Sequence, residues 1–250
     1  MDSFKSAEDF KEQCGYDIDG VWYPRVTKIV GIKAKPALNY FYASMPNYRE
    51  AKRMTEQSAE EGTRVHDAVE AFLTGKDFEI DPSIRASFDA FQQFVSDNHI
   101  EVNRDFVEYR LHHKEHRYAG TNDAIATIGG KTGVLDIKTS QAIYRDYDLQ
   151  TAAYIEALLP VLPALETRWI LRIDQDQRCE HCPATLRTKG GRAKVRNGYG
   201  SRCQHVWGSM RGHVELKESP EWKGDFEAFL AAKRLWEWEN EKWLREVGYL

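Results

Sequence analysis

Two acids and a lysine stand at a spacing that can build a cation site. Residues 120–140 read GTNDAIATIGGKTGVLDIKTS. Two β-rich runs, 122–128 and 131–139, flank Gly129 and Gly130. Gly-Gly between such runs predicts a two-residue hairpin turn, because both turn residues need φ > 0. In that register Ile128 faces Lys131, Thr127 faces Thr132 and Asp123 faces Asp136. Directly opposed residues carry Cβ atoms roughly 5 Å apart. Lys138 lies two residues past Asp136 and projects from the same face. Opposed carboxylates repel each other, and a divalent cation between them turns that repulsion into binding. Mg²⁺ takes oxygen ligands and is often held by one or two carboxylates plus substrate phosphates. The Lys138 ammonium can then orient or deprotonate a water, or offset charge at a phosphoryl transition state. A solvent-facing strand of mixed charge is the bland alternative. The shared register, beside apolar Ile125, Ile128, Val134, Leu135 and Ile137, favours the site. A β-bulge would break the pairing.

A second cluster holds soft ligands. Cys179 and Cys182 form C-x₂-C, a tight turn that aims two thiolates at one ion, and Cys203 and His205 follow about twenty residues later. Together they can complete a tetrahedral, closed and therefore structural Cys₃His zinc site. His181 is a competing ligand, and an iron–sulfur cluster would lack its fourth cysteine. Gly190, Gly191, Gly198 and Gly200 mark residues 178–211 as a loop-rich knuckle, too small for a core of its own. That span carries eight Lys and Arg against the single acid Glu180, inside a chain of net charge −4. Such asymmetry suggests a basic patch. Arg187, Lys189, Arg192, Lys194 and Arg196 are the candidate phosphate contacts, with a solvated basic loop as the alternative.

Other elements must carry these groups. Residues 1–20 read as a loose or helical lead-in, and residues 21–32 alternate apolar and polar positions around Pro24. Pro36 opens a helix, and residues 47–60 form an exposed one. Residues 61–73 form a further helix with Thr63 as N-cap and a stripe of Val65, Val69, Phe72 and Leu73. His66 and Glu70 share one of its faces, and Gly62 permits close approach one turn earlier. Taken alone, His66 is more often a hydrogen-bonded structural histidine than a ligand. Asp81, Pro82 and Ser83 cap a helix bearing Ile84, Phe88, Phe91 and Val95. Residues 102–113 read as one strand, whose Glu108 can approach the acidic site. His112, His113 and His116 are assigned no metal. Residues 149–159 form a helix that presents Gln150 and Tyr154 on one face. Residues 167–174 form a strand with Trp169, Leu171 and Ile173 on one side. A returning strand at 212–219 and a helix at 225–247 complete the chain, and Cys14 is read as inert.

Hydrophobic residues make up 42% of the 250 residues and charged residues 30%, which is the balance of a soluble globular protein. The length suits one large domain or two small ones, and a single domain over residues 1–250 is the expectation. No apolar run approaches the roughly 20 residues that span a bilayer, so no membrane partner is expected. The polar, partly acidic N-terminus fits neither a secretory signal nor a transit peptide. Four cysteines, three of them clustered, suggest a reducing, cytoplasmic setting.

The motif order resembles the PD-(D/E)XK nuclease superfamily in its RecB-like exonuclease branch. G-x-x-x-H runs from Gly62 to His66, G-x-x-D from Gly120 to Asp123, D-x-K-T-S from Asp136 to Ser140, and Q-x-x-x-Y from Gln150 to Tyr154. Pro24 and the residues after it are similar to the lead-in of phage and mitochondrial genome-maintenance relatives. The resemblance covers about residues 22–159. It implies an α/β (α+β) fold with a restriction-endonuclease-like core, a mixed central sheet flanked by helices. It implies His66, Asp123, Asp136 and the Ile137 carbonyl as ligands of Mg²⁺ or Mn²⁺, and Lys138 as the catalytic lysine. Gln150 and Tyr154 would steady that lysine or the scissile phosphate. The cysteines follow the core instead of surrounding it as in the CRISPR-associated exonucleases. The expectation is a metal-dependent DNA exonuclease acting on single strands or ends in recombination, repair or phage DNA processing, with a recombination or helicase partner. The rivals are a non-catalytic nucleic-acid-binding zinc-knuckle protein and a scaffolding subunit with a vestigial acid pair.

Overall fold

The computed structural model describes residues 4–198 and 203–250. The chain opens with α1 (Ala7–Cys14), capped by the Ser6 side chain, the hairpin of β1 (Gly15–Ile18) and β2 (Val21–Pro24), and the short α2 (Val26–Val30). Next come α3 (Pro36–Ala43), α4 (Tyr48–Thr74), α5 (Arg85–Asp97) and β3 (Glu101–Asn103). β4 (Tyr109–His113) pairs only with β5 (Tyr118–Asn122), in a ribbon apart from the main sheet. β6 (Ala124–Ile128), β7 (Lys131–Lys138), α6 (Asp146–Leu158) and β8 (Thr167–Cys179) build the centre. β9 (Thr185–Lys189), β10 (Arg192–Arg196), β11 (Trp207–Glu218), α7 (Lys223–Glu239) and α8 (Glu241–Glu246) follow.

β3, β6, β7, β8, β9, β10 and β11 make one seven-stranded mixed sheet. β7 and β8 run parallel, and the other pairs are antiparallel. Helices cover both faces. Leu135, Ile137, Trp169, Leu171 and Ile173 pack on α4 and α5, whereas Ile125 and Val134 join the cluster of α1, α2, α6 and α7. The architecture is thus mixed α+β with a central sheet between helical layers. Among the described residues, no helix is long and apolar enough to cross a membrane.

The Gly-Gly hairpin has the expected register. Ile128 pairs with Lys131, Thr127 with Thr132 and Ala124 with Leu135, and the turn glycines lie at φ 60° and 81°. Three expectations differ from what is observed. Residues 48–74 form one helix, so Thr63 caps nothing and its hydroxyl donates to the Ala59 carbonyl at 3.2 Å. Nothing at 60–62 interrupts the i to i−4 ladder, and the buried Gly62 is tolerated inside it. The strand expected at 102–113 is broken by a 3₁₀ turn at residues 104–106 and by Glu108, which sits at φ 50°. The knuckle at 178–211 is continuous with the sheet: β8 runs through Arg178 to Cys179, and β9 and β10 extend the same sheet. Gly200 lies outside the described residues.

Arg168 ties sheet to helices beneath the site. Its guanidinium, 1% exposed, donates to the carbonyls of Ser219 (3.1 Å) and Glu221 (3.1 Å) and to Thr151 Oγ1 (3.1 Å), and it also meets the Asp148 carbonyl and the Asp225 carboxylate. Removing one partner of a buried ion pair strands the other. Arg168→Met is expected to cost about 3–5 kcal/mol of unfolding free energy, read by urea denaturation.

Candidate functional site and metal-ligand cluster

The cleft lies at the C-terminal end of β7. It has a volume of about 380 Å³, and its walls include His66, Glu108, Asp123, Lys138, Gln150 and Tyr154. Asp123 occupies the bend joining β5 to β6, one step beyond the last paired residue of the hairpin. Its Oδ2 accepts the Ile137 N–H at 2.5 Å, and its Oδ1 lies 3.7 Å from His66 Nδ1. β7 alternates, so Ile137 buries its side chain toward α4 and α5 while Asp136 and Lys138 turn toward α6. Asp136 Oδ1 accepts from Gln150 Nε2 at 3.2 Å, and the same amide donates to the Tyr154 hydroxyl at 2.9 Å. Lys138 Nζ lies 2.6 Å from Asp136 Oδ2 and 5.0 Å from the centre of the Tyr147 ring. That contact is a buried ion pair: Asp136, only 1% exposed, has the Lys138 ammonium as the close partner of its Oδ2.

Two glycines set these distances. A Cβ on Gly120 would sit 2.5 Å from the Tyr154 ring, so the ring reaches its place only because position 120 has no side chain. A Cβ on Gly62 would meet Thr139 Oγ1 at 2.9 Å, which lets α4 press its Gly62–His66 turn against the end of β7.

Glu108, which the sequence puts within reach of the acids, joins the ligand set. His66, Glu108 and Asp123 place one ligand atom each within 4.8 Å of one another, a set that can hold a metal ion. Asp136 is not one of the three, although its charge acts on Glu108. Glu108 is aimed by its neighbours: Asn122 Nδ2 donates to the Phe106 carbonyl at 3.0 Å, and the Glu108 N–H donates to the Asp123 carbonyl at 3.0 Å. No periodic pattern announces this. The only signal in the sequence is an acid in the segment preceding Gly120.

The electrostatics follow from burial and crowding. Partial desolvation, then the negative neighbours Asp123, Glu70, Asp67 and Asp136, push Glu108 up to about 7, although the side chain keeps access to solvent. Burial pushes Asp136 up, against the pull of Lys138 beside it, and Asp123 adds to the rise. Burial would lower Lys138, but the charges of Asp136 and Asp123 outweigh it and hold the lysine above its ordinary value. Lys138 is thus an ammonium here and not a base.

The second cluster brings Cys179, Cys182, Cys203 and His205 within 4.8 Å of one another, a possible Cys₃His metal site compatible with zinc. Cys179 and Cys203 sulfurs are 3.7 Å apart, and Cys182 Sγ is 3.4 Å from His205 Nδ1. A tetrahedron with Zn–S near 2.3 Å has an S···S edge of about 3.8 Å. The first separation is close to that edge. His181 gives its backbone N–H to Cys179 Sγ at 3.5 Å, while its exposed side chain stays out of the cluster. Burial would raise Cys179, but hydrogen bonds led by that N–H bring it down to about 6.

The five candidate phosphate contacts divide. Arg187 Nε meets Asp174 at 2.8 and 2.7 Å and its Nη2 donates to the Thr139 carbonyl at 3.1 Å. Lys189 donates to the same carbonyl, and burial, with Arg187 nearby, lowers it to about 8. These two spend their charge inside the protein. Arg192 and Lys194 are exposed on β10, Arg192 lies over the Phe41 ring at 5.5 Å, and Lys194 and Arg196 reach Gln141 at 3.4 and 2.6 Å. No protein-family model matches the chain, and no curated protein matches it.

Glu108 keeps a proton in the folded, metal-free chain that the unfolded chain releases near 4.5. Between that value and about 7 the folded state binds more protons, so raising the pH favours unfolding. In EDTA, Tm is expected to fall as pH climbs through about 7, and less so in Glu108→Gln. Mn²⁺ should raise Tm more at about pH 8 than at about pH 5, because it binds the deprotonated acids. A Tm in EDTA that rises across this window, unaffected by Mn²⁺, would contradict the assignment.

Proposed function

We propose that the chain is a metal-dependent deoxyribonuclease on a restriction-endonuclease-like core, an exonuclease that hydrolyses phosphodiester bonds of single-stranded DNA or DNA ends. One observation carries this reading: His66, Glu108 and Asp123 bring one donor atom each within 4.8 Å of one another, beside the buried Asp136–Lys138 ion pair. The two carboxylates of that set suit Mg²⁺ or Mn²⁺, which favour oxygen ligands, with the His66 imidazole as the one nitrogen donor.

Once bound, such an ion polarises the phosphate and lowers the pKa of a water. The protein's own groups do the rest. His66, Glu108 and Asp123 hold the ion, with Asp136 and the Ile137 main chain beside them. Lys138 offsets charge that develops on the phosphate oxygens. Gln150 orients Asp136 through its amide N–H, and Tyr154 holds Gln150 in turn. Arg192, Lys194 and Arg196 add sequence-independent, salt-sensitive affinity for the DNA backbone. Cys179, Cys182, Cys203 and His205 bind one structural Zn²⁺. The reading places the protein in the cytoplasm, among recombination or repair partners.

Digestion of end-labelled single- and double-stranded DNA with Mg²⁺, Mn²⁺ or EDTA tests the activity. Asp136→Asn and Lys138→Ala are expected to lose at least about 100-fold in cleavage rate with unchanged circular dichroism. Full activity of both in Mg²⁺ rejects the mechanism. EDTA-insensitive DNA binding with no cleavage of any end structure would instead favour a non-catalytic binding module. Metal analysis under thiol-preserving conditions should find about one zinc per chain.

A further inference from the structure

β9 and β7 meet end to end. β11 occupies one edge of β8 along residues 169–179, so β7 and β9 share the other. β7 stops there at Lys138, which pairs with Arg172, and β9 pairs with β8 only at Gln177–Leu186 and Arg178–Thr185. From that root β9 runs back toward the end of β7, and it places Arg187 and Lys189 on the Thr139 carbonyl. This carbonyl belongs to the first residue past the paired part of β7, next to Lys138. The hairpin has two anchors. Its root lies beside Cys179 and Cys182, where the Cys179 N–H donates to the Ala184 carbonyl at 2.9 Å and the Glu180 N–H to the Val206 carbonyl at 2.9 Å. Its tip sits on α4, where the Gly190 N–H donates to Glu61 Oε2 at 3.0 Å, one residue before Gly62.

We propose that the Cys₃His centre holds the β9–β10 hairpin as a strut, and that Arg187 and Lys189 on this strut are positioning residues that fix the main chain after Lys138. The mechanical coupling stands on these contacts alone; its catalytic consequence rests on the nuclease reading. With only two strand pairs at its root, the hairpin depends on the metal-bound turn for its angle to the sheet. Arg187 cannot swing out to a phosphate without abandoning Asp174, and Lys189 cannot do so without releasing Thr139. Two cations on one carbonyl give that peptide group the partners it lost when β7 left the ladder.

Hydrogen exchange on the full zinc-loaded chain, read by mass spectrometry, tests this. Lys189→Met keeps the ligands and the stem but removes the charge, and Cys182→Ser opens the metal site. Both are expected to speed amide exchange in residues 139–142 by about tenfold while β6 exchanges as in the wild type, with Lys189→Arg restoring protection. Lys189→Met should retain the wild-type zinc content. In DNA cleavage it should lower kcat with KM and salt dependence little changed, whereas a phosphate contact would raise KM and reduce the salt slope. Wild-type exchange at 139–142 in Lys189→Met overturns the proposal. If Cys182→Ser fails to fold, Lys189→Met still decides the clamp, and chelation of zinc from the wild type decides the link to the metal. A wild type that cleaves no DNA sinks the nuclease reading and leaves the exchange result to judge the coupling.

Discussion

Negative charge crowded at the end of one β-strand governs this molecule. Asp123 raises the proton affinity of both Glu108 and Asp136, Asp136 adds to the rise at Glu108, and Asp136 has almost no solvent to disperse its charge. One lysine cannot balance three carboxyls. The surroundings therefore supply rigid partners: Gln150 on one oxygen of Asp136, Lys138 near the other, and the Ile137 N–H on Asp123. Each partner fixes a carboxylate without neutralising the set. A fold under no functional demand has an easier solution, an apolar residue at position 136.

The scaffold supports that arrangement from three directions. α6 brings Gln150 and Tyr154 down one face of the sheet, and Gly120 makes room for the tyrosine ring. α4 brings His66 from the opposite layer, with Gly62 letting the helix approach Thr139. The β9–β10 hairpin closes the third side through Arg187 and Lys189. Among the described residues the two candidate metal centres therefore do not sit on separate modules. The thiolate cluster lies at the root of the strand that touches the residue following Lys138.

What could be read from the sequence is what short-range physics determines. The register of β6 and β7 follows from Gly129, Gly130 and a period of two, and it places Asp136 and Lys138 on one face at once. Gln150 and Tyr154 follow from a period near four on α6. The ligand set of the cysteine cluster follows from spacing, except that only coordinates separate His205 from His181. The misses share a cause. Glu108 reads from the sequence as within reach of the acids but not as a ligand, because residues 102–113 look like one strand by composition, whereas a left-handed residue and a hydrogen bond from Asn122 reroute the chain. The inward turn of Arg187 and Lys189 depends on Asp174 and Thr139, and a basic run looks the same whether its partners are phosphates or the protein itself.

The protonation of Lys138 limits what the site can do. In the metal-free chain Asp136 and Asp123 favour its charged form. Its contribution is then electrostatic, and its value depends on distance: interaction energy between charges falls as their separation grows and is larger where water is excluded. An ammonium used in this way needs a fixed backbone more than a tuned pKa. That need gives a reason for the end of β7 to be held by two further cations instead of ending in a free loop. It also accounts for the division among the basic residues, where the two nearest Lys138 are committed to the scaffold and the three beyond them remain on the outer part of the hairpin.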